Sequence, residues 1–193
     1  MRPRGVSTVE AVKQVTAGEA VLEFRSEPLE RKSAAPPEFE QLMAAHQQRV
    51  VRTAYRLLGR MEDAQDAAQE VFLRLLRNLG RIDGDPQAWL YRVTVNICND
   101  HFRRRTFQAD PEIEQVDPSP SVERVMAIEE RKRLLMEGLQ TLGERERTAI
   151  VLRDIEGLPT RDVAEIMGVE EVTVRTRICA ARVKLAKYVR KHQ

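Results

Sequence analysis

The chain is poor in the residues that build many familiar sites. Its 193 residues include two cysteines, Cys98 and Cys179, far apart and in no CxxC pair. That spacing argues against a disulfide framework and points to a reducing cytosol. Three histidines are present, His46, His101 and His192. Cys98 and His101 lie three apart, but two ligands alone make a poor metal site. A glycine-rich phosphate loop, a nucleophile beside a base and a metal-ligand spacing are all missing, so neither an enzyme nor a bound cofactor is expected. No apolar run is long enough to span a bilayer. The start carries Arg2 and Arg4 without an apolar stretch behind them, unlike a secretory signal. A soluble cytoplasmic protein without direct membrane insertion is the expectation. Strand-like alternation and internal repeats are also lacking.

Charge is abundant but almost balanced, with 32 Lys and Arg against 30 Asp and Glu. Its distribution says more than its sum. From Val172 onward there is no acidic residue, while Arg175, Arg177, Arg182, Lys184, Lys187, Arg190 and Lys191 are basic. Residues 110–123 reverse this, with Asp110, Glu112, Glu114, Asp117 and Glu123 and no base. A basic end thus follows an acidic connector, although solvated helix faces would also account for both.

Residues 1–36 are expected to form a flexible N-terminal tail. Residues 37–105 are dense in helix formers, and Gly59 and the Gly80–Pro86 stretch cut them into about three helices. Residues 106–121 hold Pro111, Pro118 and Pro120 among acids and are expected to be a linker reaching roughly 50 Å when extended. Residues 122–193 return to helix, broken near Gly143, Gly157 to Pro159 and Gly168. The expected architecture is all-α, two small helical domains joined by a flexible linker.

Two helices show informative faces. In Glu62 to Leu79, residues Ala64, Ala68, Val71, Phe72, Leu75, Leu76 and Leu79 form a stripe toward a core. The opposite face carries Asp66, Gln69, Glu70, Leu73 and Arg77 at about 100° per residue. A lone exposed leucine usually means nothing, but Leu73 is ringed by polar groups as an interface anchor would be. The next helix is predicted to start near Pro86. Trp89, Arg92, Asn96, Asn99 and Arg103 share one side of it, while Leu90, Val93 and Ile97 face inward. With Arg104 and Arg105 it offers stacking, amide and basic groups suited to nucleic acid. An amphipathic surface helix with a half-buried Trp is the plainer alternative.

Residues 160–179 have the pattern of a helix-turn-helix. Thr160 is placed to cap the first helix, Val163 and Ile166 face inward, and Ala164 is small where helices cross. Gly168 sits at a turn needing positive φ, and Val169 and Val174 close the core. The second helix continues its inner stripe through Ile178, Ala181 and Leu185. Its outer side offers Thr173, Arg175 and Thr176 near the helix start, with Arg177, Arg182 and Lys184 at the flanks, a layout suited to base edges and phosphates.

Together the two halves resemble the extracytoplasmic-function sigma factors of the sigma-70 family. Asp63-Ala-Gln-Asp-Ala-Ala-Gln-Glu-Val-Phe72 resembles the stretch that binds core RNA polymerase. Trp89-Leu-Tyr-Arg-Val-Thr-Val-Asn96, with Asp100 and Arg103-Arg104, resembles the helix that opens and reads the −10 element. Leu139-Gln-Thr-Leu-Gly-Glu-Arg-Glu-Arg147, Ile155-Glu-Gly-Leu158, Val163-Ala-Glu-Ile166 and Thr173-Val-Arg-Thr-Arg177 resemble the −35 reader. The resemblance implies region 2 at residues 37–105 and region 4 at 122–193. It implies core RNA polymerase, promoter DNA and an anti-sigma factor as partners. The chain departs from the pattern at Gly143, where proline is usual, and at Ala180, where a polar or basic residue is common. Three rivals stand beside this reading. A stand-alone helix-turn-helix regulator leaves the Asp63–Phe72 and Trp89–Arg105 faces without a purpose. An enzyme lacks a site, and a membrane-surface helix lacks outward Trp and Phe.

Overall fold

A computed structural model describes residues 36–107 and 123–192. The expected tail and nearly all of the expected linker lie outside the described residues. Helix α1, Pro37–Leu58, starts with proline in its first turn beside Glu38 and Glu40, which suits both the missing N–H and the helix dipole. It stops at Gly59, whose φ of 81° and N–H to the Tyr55 carbonyl (2.8 Å) form a left-handed cap. Helix α2, Met61–Asn78, follows after two residues and runs into a 3-10 turn, Leu79–Arg81. Helix α3 is Pro86–Phe107. In the second half come α4, Glu123–Gln140, and α5, Glu144–Ile150. A π-helical turn, Val151–Ile155, continues α5. Helices α6, Thr160–Met167, and α7, Glu171–His192, complete the chain. Among the described residues there is no strand, and no helix is long and apolar enough to cross a membrane.

Ala54, Leu57, Ala64, Val71 and Leu75 are fully buried where α1, α2 and α3 meet. Leu139, Leu152, Val163, Val174 and Ala181 are fully buried in the second bundle. The two bundles do not stand apart. Their cores join into one cluster, and α3 packs against α6 as well as against α1 and α2. This explains why α3 buries Leu90, Tyr91, Thr94, Val95, Ile97 and Cys98 on more than one side. A single inward stripe, as the sequence suggests, fits a helix with one neighbour.

Two local expectations need correcting. Leu76 is 40% exposed, so the inner stripe of α2 is narrower than its periodicity suggests, whereas half-buried Leu79 packs against the core. Val93 on α3, also half-buried, packs against the core as expected. Thr160 is the first residue of α6 rather than its cap; Pro159 holds that position with no side-chain cap bond. At the start of α5, Gly143 has φ −61° and ψ 147°, a backbone that proline adopts without strain, so this departure leaves the turn geometry intact.

Burial pushes the Cys98 thiol up to about 12, whereas Cys179 is exposed. Thiolate is the reactive form. Native protein at neutral pH should therefore release one equivalent of colour with a disulfide reagent, and two after denaturation. Fast release of both from native protein would contradict the placement of Cys98.

Candidate nucleic-acid interface

The helix-turn-helix is built as its residues require. Gly168 takes φ 62°, a region costly for residues with a Cβ, and donates its N–H to Glu165 O. Val169 N–H reaches Ala164 O at 3.0 Å, closing the turn. Val174, Ile178, Ala181 and Leu185 are the buried side of α7. This leaves Arg175, Thr176, Lys184 and Cys179 exposed, with Thr173, Arg177, Ala180 and Arg182 half-buried. Val172 and Val183, which sequence reasoning left out, are each 64% exposed on the side away from the core. Their signal was available in the period of the inner stripe.

The basic residues of α7 differ in their partners. Arg175 pairs with Glu171 one turn back, both well exposed. Such an exposed pair is worth little in water and leaves the guanidinium free to exchange partners. Lys184 Nζ donates to both oxygens of Glu146 at 2.8 and 2.7 Å. Arg182 holds Asp154 with two bonds, 2.8 and 2.7 Å, and the Asp154 side chain is only 4% exposed. The bond to Asp154 raises the Arg182 pKa. A bidentate pair of this kind fixes geometry, here seating α7 on the π-helical turn.

On α3, Arg92, Asn96, Asn99, Arg103 and Arg104 are exposed, and Trp89 is half-buried against the core. Arg103 pairs with Asp100. Arg92 reaches across to Glu165 on α6. The preceding loop turns at Gly84, φ 88°, and the Asp85 carboxylate accepts the Gln87 N–H at 3.0 Å, capping the helix start.

The polar face of α2 is as expected, with Asp66, Gln69, Leu73 and Arg77 exposed and Glu70 half-buried beside Arg74. Leu73 does not stand alone. Together with Phe39, Met43, Val51, Phe72 and Leu76 it lines an apolar groove of about 360 Å³ between α1 and α2. The α1 contribution is invisible to a helix-by-helix reading, because it arises only when the two helices pack. Among the described residues no group of three or more His, Cys, Asp or Glu is placed to hold a metal ion.

A helical bundle with an apolar groove is thus joined to a helix-turn-helix whose second helix carries no acid beyond Glu171. Comparison with known proteins gives the family. The Sigma-70 region 2 model matches residues 42–108 and the Sigma-70, region 4 model matches 132–185. The chain is 37% identical over 167 residues to the ECF RNA polymerase sigma factor SigE of Mycolicibacterium smegmatis, covering 82% of this chain and 64% of that one. It is 31% identical to the RNA polymerase sigma-H factor of Pseudomonas aeruginosa, covering 77% and 84% respectively. It is 34% identical to the ECF RNA polymerase sigma factor SigM of Mycobacterium tuberculosis, covering 77% and 76%. The fold matches that of the sigma factor RpoE of Bartonella quintana, solved with the anti-sigma factor NepR, at a TM-score of 0.67 and 20% identity over 79% of this chain and 96% of that one. The chain belongs to the extracytoplasmic-function sigma factors of the sigma-70 family.

Proposed function

We propose that this chain binds core RNA polymerase, carries it to a set of promoters and opens the DNA there, as a signal-responsive alternative sigma factor acting in the cytoplasm. The observation that carries the reading is the groove at Leu73, accompanied in one chain by the polar face of α3 and the outer face of α7. A stand-alone operator-binding regulator uses only the last. The groove, with Gln69 in its lining and Asp66 and Glu70 on the polar face beside it, receives polymerase. Trp89, Arg92, Asn96 and Asn99, with Arg103 and Arg104, meet the −10 element, where a base leaving the stack needs a new partner. Helix α7 meets the −35 element. Its role is regulatory rather than catalytic. An anti-sigma factor as partner is supported by the fold neighbour RpoE, a sigma factor solved in complex with the anti-sigma factor NepR; a second neighbour, CnrH, is solved with the cytosolic domain of CnrY. The direct test is capture of purified core polymerase by the tagged chain. Stable one-to-one binding is expected, whereas a chain that binds duplex DNA as a dimer and ignores core polymerase would overturn the reading.

Within α7 the roles divide. Arg175 and Thr176 face away from the inner stripe and are the base-edge readers; Thr173, Arg177, Arg182 and Lys184 lie nearer the phosphates. Arg182 holds Asp154 and Lys184 holds Glu146, so truncating either mixes two effects; Lys184, whose pair is the more exposed, is the cleaner probe. Arg175→Ala should relax preference at one or two base pairs by about 1–3 kcal/mol. Lys184→Ala should weaken all sequences alike and reduce the salt slope by about one. A selection on randomised −35 sequences at two salt concentrations separates them, and identical sequence preferences and slopes would refute the division.

A further inference from the structure

The two halves of the chain are joined by more than apolar contact. Glu156 follows the π-helical turn, and its side chain is only 8% exposed. One carboxylate oxygen accepts from Thr53 Oγ1 at 2.9 Å and Arg56 Nη1 at 2.6 Å, both on α1. The other accepts from Tyr91 Oη on α3 at 2.9 Å. A carboxylate from region 4 is thus held by three donors from region 2. Burial lowers the Arg56 pKa and raises that of Tyr91, and the Glu156 carboxylate favours the protonated form of both.

A second set of bonds lies beside it. The last carbonyls of a helix lack intrahelical partners, and its C-terminus favours a cation. At the end of α1 the Arg56 carbonyl accepts from Gln140 Nε2 at 3.2 Å, and the Leu57 carbonyl accepts from Arg147 Nη1 at 2.5 Å. Region 4 therefore caps a region 2 helix. Gly59 permits the approach, since a Cβ there would sit 2.6 Å from the Gln140 side chain. At the rim, Arg92 on α3 is paired to Glu165 on α6.

We propose that Glu156 is the centre of an intramolecular latch, by which region 4 is itself a ligand of the −10-reading side of region 2. Closed, the latch engages Tyr91 and Arg92 of α3 while leaving the α2 groove and the outer face of α7 open. Single-stranded DNA then competes with Glu165 of region 4 for Arg92, a consequence that rests on the promoter reading proposed above. The three donors around Glu156 make the carboxylate's charge the sensitive element. In Glu156→Gln the shape is kept and the amide NH2 can turn to Tyr91 Oη, which is able to accept, but the charge opposite Arg56, within 2.6 Å, is lost.

The test uses the full chain, labelled for single-molecule energy transfer at Arg77→Cys and Lys187→Cys, both exposed, with Cys179→Ser; buried Cys98 stays unlabelled. The unlatched variant Glu156→Gln is compared with Tyr91→Phe, which removes a single donor, and circular dichroism confirms that each folds. The open fraction should rise on the order of tenfold in Glu156→Gln and less in Tyr91→Phe. Trp89 is the only tryptophan, so its quenching reports single-stranded DNA of randomised sequence arriving at α3. In unlabelled chain the half-saturating DNA concentration should fall by the same factor as the open fraction rises. An unchanged transfer distribution in Glu156→Gln would overturn the latch. Opening without tighter quenching would leave the latch standing and remove the promoter reading of α3.

Discussion

Arg147→Ala destabilises the chain by about 3 kcal/mol or more, the largest effect expected of any single polar substitution. Arg147 is 7% exposed. Its guanidinium donates to Leu57 O at 2.5 Å, to Gln140 Oε1 at 2.7 Å, and to the carbonyls of Gln140 and Leu142 at 3.0 Å each. It also lies over the Phe102 ring, 5.4 Å from the centroid. The two carbonyls of the α4–α5 turn and the one closing α1 thus share a single planar fork. Truncation leaves each buried acceptor without that donor, at about 1–3 kcal/mol per group before relaxation or water entry. Arg147→Lys recovers only part, because an ammonium cannot reproduce the fork. Urea unfolding followed by circular dichroism measures both. A loss below about 1 kcal/mol for Arg147→Ala, the range of an ordinary surface change, would show that Arg147 does not organise this junction.

Leu73→Ala combined with Asp66→Ala weakens core polymerase binding by about 2 kcal/mol or more, roughly thirtyfold in affinity. Leu73 is 47% exposed in the free chain, so its removal opens no internal cavity. Its value lies in what it would bury on docking. It stands at the edge of the apolar groove with Phe39, Met43, Phe72 and Leu76, a patch that a partner's apolar side chains would desolvate. Asp66 is exposed on the same face, where on docking it would supply part of the polar rim that excludes water around such an anchor. Because neither residue contributes to the α1–α2 core, helicity and melting temperature should stay as they are. Fluorescence titration of labelled chain with core polymerase reads the loss. Unchanged affinity would move the interface elsewhere on region 2.

Much of this was legible in sequence because it is periodic or local. The stripe Val174, Ile178, Ala181 and Leu185 is buried as its spacing requires. Gly168 has positive φ where a tight turn needs it, and Gly59 and Pro86 mark the ends they were expected to mark. What escaped depends on neighbours that periodicity does not name. Glu156 meets Thr53, Arg56 and Tyr91 across 103, 100 and 65 positions, and no local pattern announces a polar partner so distant. The second buried side of α3 exists only because region 4 rests on it. Leu76 is apolar and in register with the core stripe, yet it turns to the groove that α1 completes. Arg147 sits in a stretch resembling the −35 reader, but its guanidinium is spent on main-chain carbonyls rather than left for DNA. Among the basic residues of α7, charge alone did not separate Arg182, committed to nearly buried Asp154, from Arg175 with its exposed and exchangeable partner.

Whether this chain gives polymerase its choice of promoter is read by run-off transcription from a library of double-stranded promoter fragments, using core polymerase with and without the purified chain. Transcripts should appear only with the chain, from templates enriched in a shared −35 and −10 pair, and should fall sharply with the Leu73→Ala, Asp66→Ala variant. Core polymerase that transcribes the same templates equally with and without the chain would contradict that role.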